Sequence, residues 1–132
     1  MRVVVVGGQG QLAQAILAAA PSTAHCVPLN HSALDIRDDV AVIELLERER
    51  PDRVINGAAY NFVDRAESDG ARAALEINAI GVSNLAQGVR AAGARLVHFS
   101  TDFVFDGEKR SPYEETDATG PLGVYAASKL CG

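Results

Sequence analysis

The chain has 132 residues, which fits one domain, and its 48% hydrophobic content is enough to build a core. A formal net charge of -5 argues against a basic nucleic-acid footprint, and 5% aromatic residues argue against a base-stacking platform. No run reaches transmembrane length, and the apolar start at Val3 to Val6 is too short for a signal core. No nucleic-acid or membrane partner is therefore expected, and the default location is the cytoplasm. Cys26 and Cys131 have no partners at metal-ligand spacing, and His25, His31 and His98 are scattered. Free thiols in a reducing compartment and no metal site are expected.

Residues 2–6 form a β-branched run that reads as a buried parallel strand. Gly7, Gly8 and Gly10 break it, and Leu12, Ala13, Ile16 and Leu17 then recur at helical spacing up to Pro21. A second, weaker strand covers about 24–29, followed by a loop through Asp35 and Ile36. Asp38 or Asp39 can cap the next helix, whose apolar face is Val42, Ile43, Leu45 and Leu46, and Pro51 stops it. Residues 53–56 read as a third strand. One long helix is expected over about 71–92, with a stripe of Leu75, Asn78, Val82, Leu85 and Val89. Residues 95–100 read as a fourth strand, 101–120 as a long loop, and a last helix begins near Leu122.

Strands alternating with helices imply βαβ units and a parallel sheet. The expected fold is an α/β, Rossmann-type doubly wound sheet occupying residues 1–132, with strand order 3-2-1-4.

The glycine turn fits two frames, Gly8-x-Gly10-x-x-Ala13 and Gly7-x-x-Gly10-x-x-Ala13. Both serve the same physics. Glycine lets the backbone turn tightly and approach a pyrophosphate, while the following helix offers free N–H groups and the positive end of its dipole. The acidic residue that would hold a ribose 2′-hydroxyl about 20 positions on is missing, since the second strand ends in Leu29-Asn30-His31-Ser32. No arginine clamps a 2′-phosphate either, unless Arg37 reaches. NADPH and NADH both stay open, with a lean to NADPH.

Tyr125 and Lys129 stand four apart on the last helix and share a face. Reducing a carbonyl with hydride leaves an oxygen that needs a proton. A phenol with a pKa of about 10 is a poor acid–base group at neutral pH, and a nearby ammonium favours its ionised form. Thr101, after Ser100 at the carboxyl end of the fourth strand, lies where open α/β sheets bind ligands. Asn78 is the polar member of an apolar stripe and needs hydrogen-bond partners, either structural or at the site.

Seven segments follow in order: Gly7-x-x-Gly10-Gln11-Leu12, Asn56-Gly-Ala-Ala-Tyr60, Val63-Asp-Arg-Ala-Glu67, Asn78-Ala-Ile-Gly81, Ser100-Thr-Asp-Phe-Val-Phe-Asp-Gly107, Pro112-Tyr-Glu-Glu115 and Tyr125-x-x-x-Lys129. Together they resemble the dTDP-4-dehydrorhamnose reductase family of extended short-chain dehydrogenases/reductases. The resemblance implies reduction of the C4 keto group of dTDP-4-dehydro-L-rhamnose to dTDP-L-rhamnose. It implies Tyr125 as proton donor, Lys129 on the nicotinamide ribose and Thr101 on the keto oxygen. It places Gly7, Gly10, Gln11 and Leu12 at the pyrophosphate, Asp35 and Ile36 beside the adenine, and Ala58, Ala59 and Tyr60 on the ribose side, with Ser100 also at the cofactor.

Some positions depart from that family. Phe103 stands where it usually has Tyr, Asn61-Phe62 where a Thr-Ala pair is common, and Ala126 where Gly commonly follows the catalytic Tyr. Family members run to roughly twice this length, with a C-terminal substrate domain that is expected to lie outside these 132 residues. By itself the chain is expected to bind cofactor weakly and to turn over little sugar nucleotide. A homodimer, a non-catalytic dinucleotide-binding module like the regulatory subunit of methionine adenosyltransferase, and another extended-family sugar-nucleotide epimerase or dehydratase stay open. Retention of Thr101, Tyr125 and Lys129 favours an enzyme.

Overall fold

Four short strands form one parallel sheet: β1 (Arg2–Val6), β2 (His25–Leu29), β3 (Arg53–Asn56) and β4 (Arg95–His98). The structure, a computed structural model, describes all 132 residues. Helix α1 (Gln11–Ala19) follows β1, and α2 (Asp39–Glu49) follows β2. Between β3 and β4 lie α3 (Val63–Ala66), α4 (Ala71–Leu75), a π-helical turn (Glu76–Ile80) and α5 (Gly81–Ala91). Helix α6 (Val124–Cys131) ends the chain.

The alternation of β1 sets the two layers. Val3 and Val5 pack with Ala13 of α1 on one face. Val4 and Val6 pack with Val54, Val42, Leu46 and Leu85 on the other, under α2 and α5. A strand covered on both faces can be valine throughout, as β1 is.

The strand order is β2-β1-β3-β4 rather than the expected 3-2-1-4. Pro28 explains the difference. It lies within β2, opposite Val5, and has no N–H to offer a second neighbour, so β2 is held at an edge. The chain after β2 instead buries Leu34 and Ile36 without forming a strand. A methyl group at Gly81 would sit 2.6 Å from the Ile36 side chain, so that glycine is what admits Ile36 beneath α5. Helix α2 thus shares a face with α5, and a right-handed crossover brings β3 to the other side of β1. The change of direction falls after β2, beside β1.

Helix boundaries follow local chemistry. Asp38 caps α2, its carboxylate accepting from the Ala41 N–H at 2.9 Å. Asp38→Ala is expected to lower unfolding stability by about 1 kcal/mol, read by urea denaturation. The stripe expected on a single helix over 71–92 holds for Val82, Leu85 and Val89, but Leu75 is exposed. The π turn is the cause, because its extra residue rotates everything N-terminal to it relative to α5. The long segment 101–120 carries one 3-10 turn (Asp102–Val104) and then folds on itself. Phe105 stacks on Tyr113 at 4.1 Å, Lys109 pairs with Asp117, and the Gly120 N–H donates to the Val104 carbonyl at 2.9 Å.

Candidate active-site crevice

Three adjoining cavities run along the carboxyl ends of the strands. The first, of about 510 Å³, is lined by Gly7, Gly10, His31, Leu34, Asp35, Ile36, Arg37, Ala58, Ala59 and Ile77 among others. The second, of about 150 Å³, shares Gly57, Ala58, Ala59 and Asn61 with it and adds Leu12, Asn56, Phe99, Ser100, Tyr125 and Lys129. The third, of about 400 Å³, meets the second at Tyr125 and is walled by Phe103, Phe105, Tyr113, Leu122 and the carboxylates of Glu67, Asp102 and Asp106.

The turn after β1 selects the Gly7-x-x-Gly10 frame. Gly7 has φ +73°, and a Cβ there would lie 2.7 Å from the Ala58 nitrogen and 2.7 Å from the Gly57 carbonyl carbon. Only glycine serves, because both the dihedral and the close approach forbid a side chain. Gly10 begins α1 without a side-chain cap, and the first helical bond is donated by Gln14 to Gly10 at 3.0 Å. The N–H groups of Gln11 and Leu12 are therefore open at the helix start, where the dipole favours an anion. Leu12 lines the second cavity, while the Gln11 side chain lines none of the three. Ala13 is buried with its Cβ 3.6 Å from where a Gly57 Cβ would be, so α1 lies close on the sheet.

In the first cavity Arg37 is already engaged. Its guanidinium donates to both Asp35 oxygens, at 2.9 and 2.6 Å, and lies 3.7 Å from Glu76. That hydrogen-bonded guanidinium holds the Asp35 carboxyl down to about 2, so this wall carries a fixed ion pair.

In the second cavity Lys129 is buried, and its ammonium donates to the Phe99 carbonyl at 2.6 Å. Burial lowers its pKa from the ordinary value. Strand β4 ends at His98, two residues short of the expected 95–100, which frees that carbonyl to receive Lys129. Tyr125 stands one turn earlier on α6, its ring edge-on to Phe103 at a centroid distance of 6.1 Å. Thr101 sits at the junction of the second and third cavities in sequence but lines none of the three. Its hydroxyl donates to Asp102 at 3.2 Å and accepts from the Phe103 N–H at 3.3 Å, capping the 3-10 turn. Tyr60 also faces away: its ring lies edge-on to Phe62, and its hydroxyl rests where a Gly70 Cβ would be.

Asn78 is 1% exposed and holds three segments together. Its carbonyl oxygen accepts from the Tyr60 N–H at 2.8 Å, and its amide donates to the Tyr60 carbonyl and the Ser128 hydroxyl, each at 3.0 Å. Ser128 lies between Tyr125 and Lys129 on α6 and donates to the Tyr125 carbonyl at 2.7 Å. Asn78→Leu leaves these buried groups unpaired and is expected to destabilise the chain by on the order of 3 kcal/mol in denaturant unfolding.

A further polar pair escaped the sequence: the buried Asn56 and the half-buried His98. Asn56 on β3 pairs in register with His98 on β4. Its oxygen accepts from the Ala58 N–H at 3.0 Å, so its amide faces His98 Nδ1 at 3.2 Å. That makes Nδ1 the acceptor and puts the neutral ring's proton on Nε2, which is buried without a partner. Burial first, and the Lys129 charge second, lower the His98 pKa from its ordinary 6.5. Below that value the unfolded chain takes up a proton the folded one refuses, so stability falls as the pH drops. His98→Gln is expected to flatten this decline, measured by urea unfolding from about pH 7.5 to 5.5.

No cluster of three or more His, Cys, Asp or Glu side chains gathers to hold a metal, both cysteines are free, and no helix is long and apolar enough to cross a membrane.

Residues 1–132 match the family model described as RmlD substrate binding domain. A dTDP-4-dehydrorhamnose reductase from Burkholderia thailandensis is 42% identical over the whole chain, which spans 44% of that relative's length. Among solved structures, a dTDP-4-dehydrorhamnose reductase from Clostridium acetobutylicum superposes with a TM-score of 0.95 at 36% identity, covering 99% of this chain and 47% of its own. A Bacillus anthracis dTDP-4-dehydrorhamnose reductase solved in complex with NADP gives 0.95 at 35% identity, covering 98% and 46%. The chain thus spans less than half the length of these relatives.

Proposed function

Because the chain belongs to the RmlD substrate binding domain family, we propose that it forms the cofactor-binding half of a dTDP-4-dehydrorhamnose reductase. The reaction would be reduction of the C4 keto group of dTDP-4-dehydro-L-rhamnose to dTDP-L-rhamnose by NADPH or NADH, in the cytoplasm, with a homodimer as the assembly. One observation carries the proposal. Tyr125 lines both the cavity that holds Lys129 and the larger, partly apolar cavity next to it.

The residues present fit a dinucleotide. Gly7 leaves a cradle that a Cβ would fill, and the open N–H groups at the start of α1 suit a diphosphate. Gly7, Gly10 and Leu12 would hold the diphosphate, Asp35 and Ile36 the adenosine end, and Ala58, Ala59, Ser100 and Lys129 the ribose nearer Tyr125. Bound there, the cofactor would supply hydride to the keto carbon. Tyr125 would give a proton to the keto oxygen as it becomes a hydroxyl, and the Lys129 ammonium would favour the phenolate left behind. Thr101 would bond the same oxygen by turning its hydroxyl away from Asp102. No carboxylate at the end of β2 repels a 2′-phosphate, and the NADP complex of the B. anthracis relative supports the lean to NADPH.

The test is NADPH oxidation with dTDP-4-dehydro-L-rhamnose beside UDP- and GDP-linked 4-keto sugars, using the gene product at the length in which it is expressed. Formation of dTDP-L-rhamnose, with the other sugars poor, is expected. Turnover of another nucleotide's sugar instead would overturn the substrate. NADPH binding without turnover of any of them would replace the enzyme with a regulatory binding module.

A further inference from the structure

Glu67 has no place in the chemistry above, yet it is bonded to the helix that carries Tyr125. Its Oε1 accepts from the Val124 N–H at 2.7 Å and from the Tyr125 N–H at 3.3 Å. These are first-turn donors of α6, and the N-cap residue Gly123 has no side chain to satisfy them. A Cβ on Gly123 would lie 2.7 Å from the same oxygen, so the glycine makes room for the carboxylate. Glu67 is itself placed by α3, which is anchored by the fully buried Ala66. Its carboxylate also lines the third cavity, beside Tyr125 and Phe103.

We propose that Glu67 is a positioning residue for Tyr125, capping α6 from 57 and 58 residues away in sequence and so fixing the height at which the phenol enters the crevice. Asn78 holds the same helix through Ser128, on the turn after Tyr125. Between them the two contacts leave α6 little freedom to slide or rotate. The catalytic meaning of this clamp rests on the reductase assignment; the clamp itself does not.

The test uses the isotope-labelled gene product, at the length in which it is expressed, without cofactor, so that it stands apart from the reductase assay. Amide hydrogen exchange at Val124 and Tyr125, and the ring signals of Tyr125, are compared in Glu67→Ala, Glu67→Gln and Gly123→Ala. Glu67→Ala is expected to speed exchange at those two amides by about tenfold and to move the Tyr125 ring signals, with core amides such as Val54 unchanged. Glu67→Gln keeps an oxygen acceptor and is expected to restore both. Gly123→Ala displaces the carboxylate and is expected to copy Glu67→Ala, so it carries the test if Glu67→Ala fails to fold. Unmoved Tyr125 signals, or a Gln variant no better than Ala, would overturn the proposal. Absence of NADPH binding or turnover would sink the reductase assignment and leave this result standing.

Discussion

Tyr125→Phe is expected to lower NADPH-dependent carbonyl reduction by about a thousandfold while leaving NADPH affinity within about threefold, because positioned proton transfer contributes on the order of 100- to 10,000-fold. The phenol is the group shared by the Lys129 cavity and the larger cavity beyond it. Removing its oxygen leaves the ring, and with it the edge contact to Phe103. Folding and cofactor binding are therefore untouched, and the loss falls on kcat. Lys129 gives the contrasting case. Its Nζ is fixed by the Phe99 carbonyl at 2.6 Å inside the cofactor side of the crevice. Lys129→Met is expected to weaken cofactor binding and turnover together. Parallel steady-state kinetics and NADPH titrations of the two variants separate these patterns.

Gly7→Val is expected to weaken NADPH binding by about 100-fold, which is about 2.7 kcal/mol of binding free energy. Two costs combine. A side chain at φ +73° is strained, and its Cβ would overlap the Gly57–Ala58 backbone at 2.7 Å. The turn must move, and with it the open N–H groups at the start of α1. Gly93 provides the control. It also has a positive φ, of 68°, but a Cβ there meets nothing within 4 Å. Gly93→Ala is expected to cost stability by about 1 kcal/mol and to leave NADPH binding unchanged. Isothermal titration of both variants distinguishes a damaged cradle from general destabilisation.

Much of this layout is legible in the sequence because it depends on local rules. The valine run of β1, the Asp38 cap and the Tyr125–Lys129 spacing each report their surroundings within a few residues. What stayed hidden is non-local. Periodicity cannot say which side of β1 the third strand joins, although Pro28 within β2 already argued for an edge strand. The stripe from Leu75 to Val89 looks like one α-helix, since a single π turn leaves the pattern from Asn78 onward intact and turns only Leu75 outward. Asn56 and His98 become a pair only once β3 and β4 are in register. Glu67 had no visible task because a cap supplied from 57 residues away leaves no spacing to read. Thr101 was legible as a strand-end hydroxyl, but its engagement with Asp102 and the Phe103 N–H was not.

The central claim is that a dinucleotide lies across the carboxyl ends of β1, β3 and β4, from Asp35 to Lys129. The most direct test is a backbone-amide chemical-shift titration of the chain with NADPH. Perturbations tracing Gly7 to Leu12, Asp35 to Arg37, Ala58 to Ala59 and Lys129, and absent in Gly7→Val, are the predicted result. Shifts confined to the far end of the sheet around Asp52 and Arg95, or none even at NADPH concentrations far above those that saturate a full-length family reductase, would contradict it.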